Sequence, residues 1–160
     1  MKDFLKSFFI LPLLLFWGCA TRQYEAPRPA LIVIKTPELK YADQGFLYRG
    51  KEHIKIQVYA SGKAVFELTV GKRICMDNGC MSEKEFYRKY LHAEYPKGTL
   101  AAIFSRKPIF GGEKLEKEDG RSVQRIHESD KFDIIYTFDS KTARFKDRLN
   151  HTLIKITEIQ

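Results

Sequence analysis

Residues 53–70 read HIKIQVYASGKAVFELTV. Ile54, Ile56 and Val58 alternate with Lys55, Gln57 and Tyr59, a period of two that puts the apolar side chains on one face of a strand. Ser61-Gly62-Lys63 supplies a turn, and Phe66, Leu68 and Val70 then resume the alternation. The stretch therefore predicts a β-hairpin with one face turned to a core. The same pattern extends on both sides. Leu31 to Ile34 is a short apolar run stopped by Pro37, and Gly45 to Tyr48 follows. Toward the C-terminus, Arg121 to Ile126 reads as a strand. Phe132, Ile134, Tyr136 and Phe138 alternate strictly, and residues 144–146 and 152–159 complete the set.

Helical signals lie only in the middle. Ser82-Glu83-Lys84-Glu85 is a capping box that opens a short helix carrying Phe86, Tyr87, Tyr90 and Leu91 on one side. A second short helix follows Pro96, with Leu100, Ile103 and Phe104 on one face, and Pro108 ends it. Strands, two helices, then strands predict an α+β fold, a curved antiparallel sheet covered by two short helices.

The first residues read differently. Lys2 and Lys6 precede an apolar run from Phe8 to Trp17, which closes in Gly18-Cys19-Ala20, the layout of a secretory signal ending in a lipidation cysteine. Residues 1–18 are thus expected to be a lipoprotein signal peptide, with Cys19 as the acylated N-terminus. About 10 apolar residues fall short of the roughly 20 a membrane span needs. Residues 19–30, polar and Pro-containing, read as a flexible tether, and 31–160 as one domain. Ala20 follows the anchor where an inner-membrane retention signal would place Asp. The expected location is the outer membrane, lipid-anchored, with the domain facing the periplasm.

The chain holds 28 Lys and Arg against 20 Asp and Glu, a net charge of +8. Without Lys2, Lys6 and Asp3 of the signal, 26 remain against 19, a balance of +7. For an exported chain this suits anionic headgroups or an acidic protein partner and leaves nucleic acid a poor one. A basic stretch, Lys141, Arg144, Lys146 and Arg148, reads either as such a contact or as a solvated hairpin. Cys75 and Cys80 flank Met-Asp-Asn-Gly, whose Asn78-Gly79 is a turn signal, so they face each other across a hairpin as a disulfide would require. A metal site on the same pair lacks a second pair or clustered His.

Three stretches carry a family resemblance. They are HIKIQVYASGKAVFELTV, then YPKGTLAAIFSRKPIFG with Pro96, Leu100 and Pro108, and the closing HTLIKITEI. Together they make residues 53–160 resemble the outer-membrane lipoprotein receptor LolB and its LolA-like relatives. The resemblance implies a half-barrel, acyl chains or lipidated clients as ligands, and lipoproteins or a periplasmic LolA-like carrier as partners. It implies no cofactor. It also makes Ala60, Ser61 and Gly62 the membrane-facing hairpin tip. There the family carries an exposed Leu, and Ser61 cannot serve as an apolar probe. Ile103 stands for the family's Trp and Arg106 for its Gly.

The candidate ligand-cavity residues are Phe66, Leu68, Phe86, Tyr90, Leu100, Ile103, Phe104, Tyr136 and Phe138. Aromatic residues on apolar faces usually fill a core, so a packed interior is the competing reading. It belongs with a structural or docking lipoprotein of the cell envelope. His53, His92, His127 and His151 share no metal-ligand spacing, and Ser61, Ser82 and Ser122 sit in no nucleophile motif. The residues carry no positive sign of an enzyme or of a metal, and a monomer is expected.

Overall fold

The computed structural model describes residues 24–77 and 79–159; Cys19 and the predicted signal lie outside them. The strands are β1 Arg28–Lys35, β2 Lys40–Arg49, β3 Ile54–Ala60, β4 Lys63–Val70, β5 Ile74–Met76 and β6 Gly79–Met81. After the helical segment come β7 Leu115–Glu118, β8 Arg121–Glu128, β9 Phe132–Phe138, β10 Thr142–Asp147 and β11 Thr152–Glu158. All eleven join one sheet in the order β6-β5-β4-β3-β2-β1-β11-β10-β9-β8-β7. Each neighbouring pair is antiparallel. The sheet stays open, with β6 and β7 as its edges.

Strand spacing of about 4.8 Å would put β5 and β8 roughly 38 Å apart in a flat sheet. Yet Lys72 and Ser82, flanking β5 and β6, share one pocket with Glu128 and Phe132 of β8 and β9. The sheet must therefore curve to bring its two margins together, as the sequence predicts. On its inner face Ile32, Ile34, Leu47, Ile56, Phe66, Leu68, Ile134, Phe145 and Ile154 form one buried cluster with the helical residues Phe86, Leu100, Ile103 and Phe104.

The quoted hairpin forms as read. Ala60 pairs with Lys63, and Ser61 (φ 51°) with Gly62 (φ 76°) makes the tip. In β9 the buried and half-buried residues alternate without a break. Helix α1, Glu83–Phe86, carries the predicted capping box: Ser82 Oγ accepts from Glu85 N, and Glu85 returns to Ser82 N at 2.7 Å. It continues as a π-turn through Tyr87–Leu91. Helix α2 spans Thr99–Ser105 and stops at Arg106, whose φ of 54° is left-handed.

Several boundaries differ from the sequence reading. β1 starts at Arg28 rather than Leu31, because Ala30 fills a fully buried place opposite Gly45. Structure begins even earlier. Tyr24 bridges to Gly50, and Glu25 N donates to Arg49 O at 2.7 Å. The described part of the supposed tether is thus held against the domain. β2 and β7 show no full alternation in sequence; β2 has polar residues over its first half, and β7 is exposed throughout. The Cys75–Cys80 turn is also one residue earlier than Asn78-Gly79 suggests. Met76 pairs with Gly79, and Asp77 takes φ 52°.

Candidate functional site

The nine residues proposed to line a cavity lie together between sheet and helices, but against one another. Eight of them, from Phe66 to Phe138, are 0–9% exposed, and Tyr90 is half-buried at the margin. Tyr136 stacks on Phe138 at 4.9 Å, and Phe86 tilts against Tyr90 at 4.9 Å. None of the nine lines any of five surface concavities found among the described residues. Where acyl-sized space was expected, these side chains are buried in one hydrophobic cluster, with Tyr90 packed against its margin. One polar atom is stranded there: the Tyr136 hydroxyl is buried without a hydrogen-bond partner.

The largest of these five, about 600 Å³, lies where the margins of the curved sheet meet. Its floor is aromatic, made of Tyr87, Tyr95 and Phe132, with Tyr87 edge-on to Tyr95 at 5.4 Å. Its rim carries the exposed Lys72, Lys84, Lys97 and Lys131, with Glu94 and Glu128 among them. Reading the sequence did not find this site, because its residues come from four separate segments. The Tyr95-Pro96 pair beside the second helix was the one local sign.

Two carboxylates, the half-buried Glu83 and the buried Asp147, shape the floor. Glu83 accepts from the Tyr87 hydroxyl and from Gly98 N at 2.9 and 3.0 Å, tying α1 to the start of α2. Leu100 N donates to the same Tyr87 oxygen at 3.1 Å. Asp147, 1% exposed, accepts from the Tyr95 hydroxyl at 2.6 Å and from the backbone of Asp133, Leu149 and Asn150. Burial first, and then the neighbouring carboxylate, push both phenol pKa values far up. Both hydroxyls therefore stay protonated and committed to internal acceptors, and neither can act as a base or nucleophile. Ser82 Oγ is likewise engaged with Glu85. Aromatic surface and lysine amines thus meet in one concavity.

A third cluster joins the sheet to α2. Glu158 receives Arg49, Arg106 and Arg28. Burial raises its pKa, but the hydrogen bonds from Arg49 and Arg106 outweigh that and hold it below the ordinary value. Arg106, in the place where a Gly suits the left-handed turn, is anchored by this pair. Among the described residues no three His, Cys, Asp or Glu side chains converge to hold a metal. Cys75 and Cys80 face each other with their sulfurs 2.05 Å apart, at disulfide distance. The tip residues Ser61 and Gly62 are exposed, and Ala60 is half-buried.

The fold is an open antiparallel sheet curved round two short helices. No protein-family model matches the chain, and searches of curated proteins and of solved structures find no match either.

Proposed function

We propose that this chain is an outer-membrane lipoprotein of LolB-like form, anchored at Cys19, that works by docking a partner in the cell envelope. The observation that supports docking over internal lipid carriage is the filled interior: the candidate cavity residues are buried against each other. The aromatic floor and lysine rim at the sheet margins suit an acidic group on that partner. The test is native mass spectrometry of the purified chain carrying Cys19→Ser. The expected result is protein free of bound lipid. Co-purified acylated ligand, lost in Leu100→Trp with the fold retained, would overturn the docking reading.

A second reading keeps the LolB-like role, binding acyl chains or a lipidated client received from a LolA-like carrier. One observation favours it. A pocket of about 600 Å³ falls within the usual range for a small-ligand site, and a cationic rim over aromatic rings fits an anionic amphiphile. Under this reading the ligand sits at the sheet margins, and Lys84→Glu with Lys97→Glu weakens fatty-acid binding while Leu100→Trp does not.

A further inference from the structure

Tyr24 is clasped. Its ring meets His53 edge-on at 4.6 Å and Tyr48 at 5.9 Å, and Lys55 Nζ lies 5.5 Å from its centroid. Its backbone bridges Gly50. Between Cys19 and this clasp stand only Ala20, Thr21, Arg22 and Gln23. Five fully extended steps reach at most roughly 17 Å. The sheet register puts the clasp at one particular end of the strands. Turns 50–53, 71–73, 119–120 and 139–141 share that end, since Arg49 pairs with Ile54, Ile54 with Val70, Ala143 with Phe138 and Glu118 with Arg121. The hairpin tip at Ser61 is at the other end, with the 36–39 turn. β3, with seven residues, is about 23 Å long.

We infer that the sheet end bearing turns 50–53, 71–73 and 139–141 rests on the membrane surface, its partner the anionic phospholipid headgroups. The inference rests on the reading of Cys19 as the lipid anchor. A leash shorter than a strand cannot let the domain turn its far end to the bilayer without breaking the clasp. Chain length selects this end, and its chemistry is compatible with the surface it meets. Exposed Arg28, Lys51, Lys72, Arg73, Lys107, Arg121 and Lys141 outnumber the exposed Glu25, Glu52, Glu118 and Asp119 there. Lys51 and Lys107 share a shallow concavity with Glu25 and Gly50, directly beside the clasp.

The experiment uses the full chain, expressed with its own leader and labelled with palmitate. It is reconstituted in vesicles of phosphatidylethanolamine and phosphatidylglycerol. A benzophenone amino acid replaces Lys51 or Lys141 at the near end, and Ser61 or Lys40 at the far end. The near positions should photo-crosslink lipid several-fold more than the far ones. A flexible insertion of about 12 residues between Thr21 and Arg22, adding up to roughly 40 Å of reach, should collapse that contrast. A palmitoylated chain that crosslinks equally from both ends, or whose contrast survives the insertion, overturns the orientation and leaves the anchor standing. A chain that takes up no palmitate overturns the anchor reading, and the orientation falls with it.

Discussion

Single residues carry effects of opposite sign in this fold. Glu158 is held ionised by Arg49 and Arg106, so its folded pKa lies below the ordinary 4.5. A lowered carboxylate stabilises fully above its unfolded value and loses that contribution as pH falls through the folded one. Glu158→Gln should therefore cost about 1–2 kcal/mol at neutral pH, the lower part of the range for charged hydrogen bonds because solvent reaches the site. Melting curves of variant and wild type should converge as pH drops below 4.5; a constant gap down to the acid transition would contradict this. Tyr136→Phe goes the other way. Its hydroxyl is buried and unpartnered, so removing it should leave stability unchanged or raise it by about 1 kcal/mol. A clear loss in urea unfolding would mean that the hydroxyl has a partner. Gly45 is a third case. A Cβ there would lie 2.0 Å from Gln57 O and 2.8 Å from Ile32 Cδ1. Gly45→Ala should reach the upper end of the ~1–3 kcal/mol typical of overpacking, because the nearest clash is with backbone.

At the scale of elements, legibility followed the strength of local signals. β3 and β9 alternate cleanly, each with one face in the core, and their bounds could be read to within a residue. β4 instead starts at Lys63, two residues before the Val65 read from the sequence, and buries Thr69 as well as its apolar face. The capping box marked the start of α1 because its two reciprocal bonds need only residues three apart. β7 was missed since an exposed edge strand of Leu-Glu-Lys-Glu has no buried face to impose a period. The start of β1 was missed because Pro29 and Ala30 resemble linker; only pairing with Phe46 and Gly45 makes them strand. The Cys75–Cys80 clip sits on the three-residue β5 and β6, which have little else to hold them. Reducing it, or making Cys75→Ser with Cys80→Ser, should cost on the order of 2 kcal/mol for so short a loop. Hydrogen exchange should report the loss first in β5, β6 and the start of α1. Unchanged protection there would show that the pairing holds without the bond.

For the whole molecule, the sequence led to the curved sheet and to the right set of inward residues, but not to whether they enclose space. Periodicity tells which face a side chain occupies; volume depends on how helices and sheet interlock, which no local pattern records. The pocket at the sheet margins was illegible for a related reason: curvature alone brings Lys72 and Lys131 to one rim. The filled interior makes a direct prediction. Leu68→Trp and Leu100→Trp, at sites 2% exposed, should each destabilise by about 1–3 kcal/mol in chemical unfolding. Near-neutral effects at both would indicate spare volume. The open sheet has another consequence. At high local concentration two unpaired edges invite end-to-end polymerisation through strand addition. This chain blunts both. β6 has only three residues, while β7 lines its edge with Glu116, Lys117 and Glu118, and Glu118 is held by Arg125 of the next strand. Crowded copies should thus stay separate, and replacing Glu116 and Glu118 with Val should be enough to start fibrous aggregation visible by light scattering.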